Sequence, residues 1–255
     1  MTQSSNPSHS STPRLGIVVP LANEEATIDE FLRRVTAQLG ADDRLFCVLD
    51  NVCKDQTRAR VDAKAAEDPR VVCVWAPQNR CVVDAYFSGY RAALDANCRW
   101  ILEMDGGLSH APEKIPEFVQ AMETGVDFAP GSRFCKGGKY SGRWTRWALS
   151  KGGTVLATLV LGTRMSDMTS GFECFTHRAL RHVVARGVKS RAHFFQTEIR
   201  YMLQDWRWQE VPISYSSPSE TVGSSTVGEA LKNLWHLRKE SRLSVPTGEN
   251  AWNPA

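Results

Sequence analysis

After a polar beginning, the chain alternates short apolar runs with amphipathic segments. The run RLGIVVPL is rich in β-branched residues and stops at a proline, which predicts a strand, and NEEATIDEFLRRVTAQL then shows helical spacing with acids in its first turn. The unit recurs as RLFCVLD before KDQTRARVDAKAAE, VVCVWA before VDAYFSGYRAALDA, and WILEMD before APEKIPEFVQAMET. This alternation predicts an α/β fold with a Rossmann-like, mainly parallel sheet flanked by helices.

The pattern changes after residue 131. GSRFCKGGKYSGRWTRWALSKGGTVLATLVLG predicts a glycine-rich loop followed by a helix with apolar residues from Trp144 to Leu159. This helix either lies in a membrane interface, because aromatic and basic residues alternate with its apolar ones, or is buried against the sheet. RAHFFQTEIRYMLQ predicts another amphipathic helix, WQEVPISY a strand and GEALKNLWHLRKESRL a last helix.

Length and composition indicate one domain. A chain of 255 residues with 42% hydrophobic and 23% charged residues is long enough for one well-filled core. Residues 1–14 are rich in Ser, Asn and Pro and residues 243–255 are similar, so we expect tails at both ends. The sequence therefore predicts a single folded domain over residues 15–242.

Charge and cysteine content narrow the functional classes. A net charge of +3 is too small to indicate nucleic-acid binding by itself, although basic residues cluster between Arg133 and Lys151. The seven cysteines form no C-x-x-C pair and mostly fall within apolar runs, which is typical of a reducing compartment. Because no window has the apolar length of a membrane span, we expect a cytoplasmic protein, with peripheral contact to the cytoplasmic face of a membrane left open.

Polar residues gather where the apolar runs of the first four units end. They are Pro20, Asn23, Glu24, Asp50, Asn51, Asn79 and Asp105. Ligands of open α/β sheets bind outside the carboxyl ends of the strands, so these residues predict a site. Two alternatives stay open, because Asp50 is also a good turn former and Glu24 also suits a helix N-terminus.

Seven blocks carry a resemblance to a known family. They are VVPLANEE, LDNVCKDQT, EMDGGLSHAPEKIP, PGSRFCKGG, SDMTSGFECF, FFQTE and EVPISY. In order and approximate spacing they resemble family 2 glycosyltransferases, most closely the dolichyl- or polyprenyl-phosphate mannose synthase branch, from about residue 15 to about residue 225. The resemblance implies a GT-A fold and an inverting transfer of a hexose, of mannose or glucose type, from a nucleotide sugar such as GDP-mannose or a UDP-hexose to a polyprenyl phosphate.

The resemblance also implies roles for individual residues. On the donor side it implies nucleotide contacts at Pro20, Asn23, Glu24 and Asp50 and a metal ligand at Asp105. Asn51 and Asn79 are expected to bind substrate because they follow neighbouring strands, and Gly106 and Gly107 because glycine lets the backbone approach the diphosphate closely. On the acceptor side it implies phosphate binding by Arg133, Arg146 and Ser150, a loop at Asp167 that closes on both substrates, and helix residues Gln196 and Glu198 facing the site. Asp105, Arg133 and Asp167 are the implied catalytic residues.

Residue 107 departs from the family pattern. The third position of the family's D-x-D is Gly107 instead of an acid, and the basic residue expected near a distal G-x-S is absent beside Gly223 and Ser225. Mg²⁺ commonly binds through one or two carboxylates plus substrate phosphates, so Asp105 with the donor diphosphate can hold Mg²⁺ or Mn²⁺.

The sequence is compatible with three hypotheses for the function. The first is transfer to a lipid phosphate, which is already anionic and needs no general base. The second is transfer to a soluble acceptor, for which Asp167 is the candidate base if the acceptor is a hydroxyl. The third is a non-catalytic protein that binds a nucleotide sugar.

Overall fold

The computed structural model describes residues 12–216 and 224–241. The strands are β1 Leu15–Pro20, β2 Arg44–Leu49, β3 Val71–Trp75, β4 Trp100–Glu103, β5 Phe128–Ser132, β6 Lys139–Ser141, β7 Glu173–Thr176, β8 Val211–Pro212 and β9 Ser214–Ser216. The helices are α1 Ile28–Thr36, α2 Thr57–Glu67, α3 Val82–Asp95, α4 Ile115–Glu123, α5 Trp144–Leu161, α6 His177–Arg186, α7 Phe195–Met202 and α8 Ser224–Ser241.

Seven strands form one mixed sheet in the order β3-β2-β1-β4-β7-β5-β8. Strands β1 to β4 pair in parallel, and each of the first three is followed by a helix that leads to the next strand. The predicted α/β fold with a mainly parallel sheet is confirmed. As that fold requires, the carboxyl ends of β1, β2 and β4 lie at one edge of the sheet.

Two apolar layers cover the two faces of the sheet. Alternation along β1 sends Leu15, Ile17 and Val19 into the layer formed with α1, α2 and α4, and Val18 into the opposite layer with α3, α6 and α7. Both faces of the sheet are therefore covered from solvent. This explains why the strands are continuous apolar runs instead of alternating apolar and polar residues. The packed sheet therefore fixes the positions at which the loops at its edge begin and end.

Strand β7 was not predicted, and it alters the middle of the sheet. It lies between β4 and β5 and runs antiparallel to both. Because of this direction, the start of β7 lies at the edge where the parallel strands end. The segment that precedes it, residues 163–172, is thereby brought to the same edge as the loops after β1, β2 and β4.

The ends of the predicted domain are described only in part. Residues 1–11 and 242–255, and with them most of both predicted tails, lie outside the described residues, as does the segment 217–223 that contains Gly223 of the distal G-x-S. The carbonyls of Pro13 and Arg14 accept hydrogen bonds from the backbone N–H groups of Arg99 and Trp100. The folded backbone thus includes two residues before the predicted boundary at residue 15.

Helix α5 exposes most of its apolar side chains. Thr154, Ala157 and Leu161 are buried, whereas Trp144 and Leu159 are each 77% exposed. The helix packs against α8, which also has exposed apolar side chains. Of the two predicted settings for α5, full burial is therefore wrong: one narrow stripe is buried, and the helix packs against α8. Within the described residues, none of the helices combines the length and the apolar character needed to cross a bilayer.

Candidate active site

Asp105 lies two residues beyond the end of β4, with its side chain 38% exposed. The hydroxyl of Tyr86 on α3 donates a hydrogen bond to Oδ1 of Asp105 at 2.8 Å. Burial, together with the Asp105 carboxylate, raises the pKa of Tyr86 well above its ordinary value, so the phenol stays protonated and remains a donor. One oxygen of Asp105 is thereby fixed in direction by a buried partner, and the carboxylate still faces solvent.

His110 closes the loop that follows Asp105. Its ring is buried, stacks on Phe172 with 4.9 Å between ring centroids, and accepts at Nδ1 a long hydrogen bond of 3.4 Å from the backbone N–H of Asp105. Burial lowers the pKa of His110, which favours the neutral ring, and the hydrogen bond accepted at Nδ1 leaves the ring proton on Nε2. His110 therefore holds the shape of the loop.

The loops after β1 and β2 are fastened to each other. Asn23, at a positive φ of 58°, donates from Nδ2 to the carbonyl of Val52 and accepts at Oδ1 from the backbone N–H of Lys54. Asp50 is buried and accepts a bond of 2.8 Å from the N–H of Val52. The turn-forming role left open for Asp50 is thus present, alongside its position at the edge of the predicted site.

The remaining predicted donor residues lie at the same edge. Pro20 is the last residue of β1, and Asn51 donates from Nδ2 to the carbonyl of Pro77 in the loop after β3. Asn79 accepts at Oδ1 from the hydroxyl of Ser88, while its buried Nδ2 has no partner among the described residues. A buried amide donor without a partner is costly unless a ligand or water satisfies it, so Asn79 is suited to meet a ligand acceptor.

Arg133 is buried beside Asp167, not exposed on a loop. Its Nε and Nη2 donate to the two oxygens of Asp167 at 2.7 and 2.9 Å, and Nη2 also donates to Thr169 at 2.6 Å. Burial alone would raise the pKa of Asp167, but hydrogen bonding and charge from Arg133 outweigh it and hold that pKa at about 2. The bidentate pair fixes the guanidinium in one orientation.

This pairing argues against the prediction of Asp167 as a general base. A carboxylate with a pKa of about 2 is a weak proton acceptor at neutral pH, and Arg133 occupies both of its oxygens. Asp167 instead holds Arg133, which lines the neighbouring cavity.

A cavity of about 320 Å³ connects Asp105 to helices α5 and α8. Arg133, Arg146 and Ser150 contribute polar groups to its wall, and the backbone at residues 169–171 lies beside them. The rest of the wall is mainly apolar and includes Leu149, Leu156, Ala157, Phe194, Leu231 and Leu234. The wall of the cavity therefore combines Asp105 and two arginines with apolar side chains from two helices.

Gln196 and Glu198 on α7 have different surroundings. Gln196 is buried and lines the cavity beside Gly171, which agrees with its predicted position. Glu198 is also buried, but it accepts hydrogen bonds of 2.8 Å from the backbone N–H groups of Lys189 and Ser190 and is absent from the cavity wall. Glu198 therefore stabilises the loop before α7, and the prediction that it binds substrate is not supported.

A buried group of charged residues lies beneath the site. Glu103 on β4 and Glu173 on β7 are directly opposite across the two strands, and both are fully buried. Arg200 on α7 donates to Glu173 at 2.9 Å and to the carbonyls of Asp167, Ser170 and Gly131. Arg200 thereby ties the loop before β7 to β5 and β7.

The burial of the Glu103 carboxyl predicts a pH dependence of stability. Burial and then the nearby carboxylates of Glu173 and Asp105 raise the pKa of Glu103 well above the value of 4.5 of a free side chain. Above pH 4.5 the unfolded chain releases a proton that the folded protein keeps, so the free energy of unfolding falls as the pH rises. The Glu103→Gln variant lacks this titrating group, so its free energy of unfolding should fall less steeply with pH. The slopes of wild type and variant should differ by up to about 1.4 kcal/mol per pH unit.

Urea unfolding of wild type and Glu103→Gln at several pH values from about 5 to about 7, with a chelator present, measures the difference in slope. The control is Glu30→Gln, which removes an acid from an exposed pair with Arg33. The hydrogen bond with Arg33 lowers the pKa of Glu30, so its titration lies below the pH range of the measurement and the wild-type slope should be kept. Equal slopes for wild type and Glu103→Gln would contradict the prediction.

Several contributing residues were missed at the level of sequence. The sequence did contain a feature that could have indicated Glu103, because this acid lies inside the apolar run WILEMD. Arg200 is a basic residue in a similar position, within FFQTEIRYM. Tyr86 had none, because a tyrosine on an amphipathic helix is ordinarily a core residue. The partners of these three side chains lie on other elements, which spacing along the chain does not reveal.

A family model and two curated relatives match most of this chain. The model of the family described as Glycosyl transferase family 2 matches residues 16–184. An undecaprenyl-phosphate mannosyltransferase of Micrococcus luteus is 29% identical over 88% of this chain and 94% of its own length. A polyprenol monophosphomannose synthase of Mycolicibacterium smegmatis is 27% identical over 89% of this chain and 88% of its own.

Solved structures extend the likeness of the fold. A glucosyl-3-phosphoglycerate synthase from Mycobacterium tuberculosis, in complex with Mn²⁺, UDP and phosphoglyceric acid, superposes with a TM-score of 0.65. The similarity covers 92% of this chain and 80% of that chain at 16% identity. At this identity the match supports the fold alone.

Proposed function

Because the chain belongs to glycosyl transferase family 2 and is a glycosyltransferase, we propose that it transfers a hexose from a nucleotide sugar to a polyprenyl phosphate with inversion at the anomeric carbon. The names of the two bacterial relatives favour mannose as the hexose. GDP-mannose is therefore the first donor to test, and a UDP-hexose is the second.

The observation that carries the proposal is the cavity between Asp105 and helices α5 and α8. The two arginines in its wall, Arg133 and Arg146, suit a phosphate, and its apolar side chains suit an isoprenoid chain. A small soluble acceptor would have no use for walls formed by side chains such as Leu149 and Leu156. The shape and polarity of the cavity thus match an acceptor with a charged head and an apolar tail.

The reaction needs little acid-base chemistry from the protein. An oxygen of the acceptor phosphate forms a bond to the anomeric carbon while the bond from that carbon to the nucleoside diphosphate breaks, and the diphosphate leaves with the electron pair. The phosphate is anionic at neutral pH, so no proton must be removed. Arg133, oriented by Asp167, and Arg146 would align the nucleophile, which is the main way that such groups accelerate a transfer.

A divalent cation fits the donor side of this arrangement. The similar synthase binds Mn²⁺ or Mg²⁺ together with UDP. In the described part of this chain, no three His, Cys, Asp or Glu side chains form a metal-binding group by themselves. Asp105 is partly exposed and bonded through one oxygen to Tyr86, so it would hold the cation jointly with the donor diphosphate, whose departing charge the cation would neutralise.

The test is transfer of radiolabelled sugar from GDP-mannose or UDP-glucose to a short polyprenyl phosphate, with Mg²⁺, with Mn²⁺ and with a chelator. We expect a product that extracts into organic solvent and that depends on the metal. The matched control acceptor is the same polyprenol without its phosphate, which should accept no sugar.

Two outcomes would overturn the proposal. Transfer to a soluble phosphorylated acceptor but not to polyprenyl phosphate would support the second hypothesis. Binding of a nucleotide sugar without transfer to any acceptor, at any metal concentration, would support a non-catalytic role.

The proposal also includes contact of the protein with a membrane surface. Trp144, Trp147 and Leu159 on α5 and Leu231 and Trp235 on α8 are exposed, and these two helices also line the cavity. Basic residues also occur within α5 and in the segment just before it. Each basic residue near an anionic surface adds about 1 kcal/mol of attraction. A lipid acceptor would then reach the cavity without crossing water.

Sedimentation with lipid vesicles tests this contact. Replacing Trp144 and Leu159 together by serine should weaken binding to vesicles of phosphatidylcholine and phosphatidylglycerol by about tenfold or more, because two large apolar side chains no longer enter the interface. The matched control replaces Trp75, at the end of β3, and Val52, in the loop after β2, by serine and should bind normally. Equal binding of both double variants would argue against the contact.

A further inference from the structure

The loop after β4 passes close to Glu24 because residue 107 has no side chain. A Cβ at Gly107 would lie 3.0 and 3.1 Å from the two carboxylate oxygens of Glu24. Gly107 also has a φ of +70°, which an L-residue rarely adopts. The Glu24 carboxylate therefore occupies the space into which a side chain at position 107 would extend.

Glu24 is held in this position by two threonines. The hydroxyl of Thr27 donates to Oε2 of Glu24 at 2.9 Å, and the backbone N–H of Glu24 donates to the hydroxyl of Thr57 at 2.8 Å. The nearby Arg60 pairs with Glu25 and Asp29 instead. Among the described residues, the salt bridges leave the Glu24 carboxylate without a basic partner.

We propose that Glu24 supplies the second protein carboxylate for the divalent cation, in place of an acid at position 107. Asp105 would provide the first, and the diphosphate of the donor would complete the set, so the inference rests on the proposed function. Mg²⁺ commonly binds through one or two carboxylates plus substrate phosphates, so a pair of carboxylates is within its ordinary ligand set. The second carboxylate comes from the loop after β1, the strand that pairs with β4.

The experiment measures how strongly Mn²⁺ tightens nucleotide binding, which does not depend on turnover. The dissociation constants of GDP and of UDP are determined by calorimetry with and without Mn²⁺, and the nucleotide that binds is used throughout. We expect Glu24→Ala to reduce the Mn²⁺-dependent gain in affinity by about tenfold or more. Glu25→Ala, which removes the adjacent acid, should keep the wild-type gain.

A second variant supplies the missing carboxylate from the loop after β4. Glu24→Ala/Gly107→Asp removes the carboxylate that a Cβ at 107 would meet, and aspartate is one of the L-residues that adopt a positive φ at the lowest cost, so this variant should recover part of the lost gain. A wild-type gain in Glu24→Ala would overturn the inference and leave the proposed function standing. Absence of sugar transfer by the wild-type protein would instead remove the proposed function.

Discussion

The Asp105→Asn variant should transfer sugar about 10²- to 10³-fold more slowly than wild type. Asparagine keeps an oxygen that can accept the hydrogen bond from Tyr86, so the loop should retain its shape while the negative charge is lost. The expected defect therefore reports the negative charge that we propose helps to hold the divalent cation, which in turn would neutralise the leaving diphosphate. Initial rates at saturating donor and acceptor measure it.

The matched control for this variant is Asp62→Asn on α2. Asp62 lies on the surface in an exposed pair with Arg58, away from the carboxyl ends of the strands, and its replacement should leave the rate unchanged. A rate for Asp105→Asn within about threefold of wild type, with an unchanged unfolding midpoint, would contradict the assignment of Asp105.

The Arg200→Met variant should lose about 3–5 kcal/mol of unfolding free energy. Removing the guanidinium leaves Glu173 buried without its cation and leaves the carbonyls of Asp167, Ser170 and Gly131 without their donor. Urea unfolding at neutral pH, followed by fluorescence and circular dichroism, measures the loss. Coincident transitions by the two probes are needed for a two-state treatment.

The control for Arg200→Met is Arg33→Met, which removes an arginine from an exposed pair with Glu30. An exposed pair contributes at most about 1 kcal/mol, so its loss should be small. A similar small loss for Arg200→Met would show that the loop before β7 is held by other contacts.

The first half of the fold could be predicted because its elements are local and strongly patterned. The four apolar runs from Leu15 to Glu103 each end at a polar turn, and the helices between them have amphipathic spacing. Strands β5 and β7 lacked such signals. β5 contains Pro130 and Gly131, and β7 has only four residues, too few to show a period.

The candidate site was predictable in position but not in its pairings. Strand ends such as Asp50 and Asp105 follow from the parallel sheet, since every parallel strand ends at the same edge. The pair of Arg133 and Asp167 joins residues 34 positions apart through an unpredicted antiparallel strand. Glu198 was placed in the site because its helix faces it, whereas its carboxylate accepts hydrogen bonds from the loop before that helix.

The direction of β7 has a consequence for how this protein family can diversify. The loops that follow β1, β2 and β4 form the side of the site that we propose for the donor. The segment that precedes β7 forms the side that we propose for the acceptor. Insertions or substitutions in the segment before β7 leave the loops after β1, β2 and β4 unchanged. Acceptor preference can therefore evolve while the machinery for the nucleotide sugar is inherited intact.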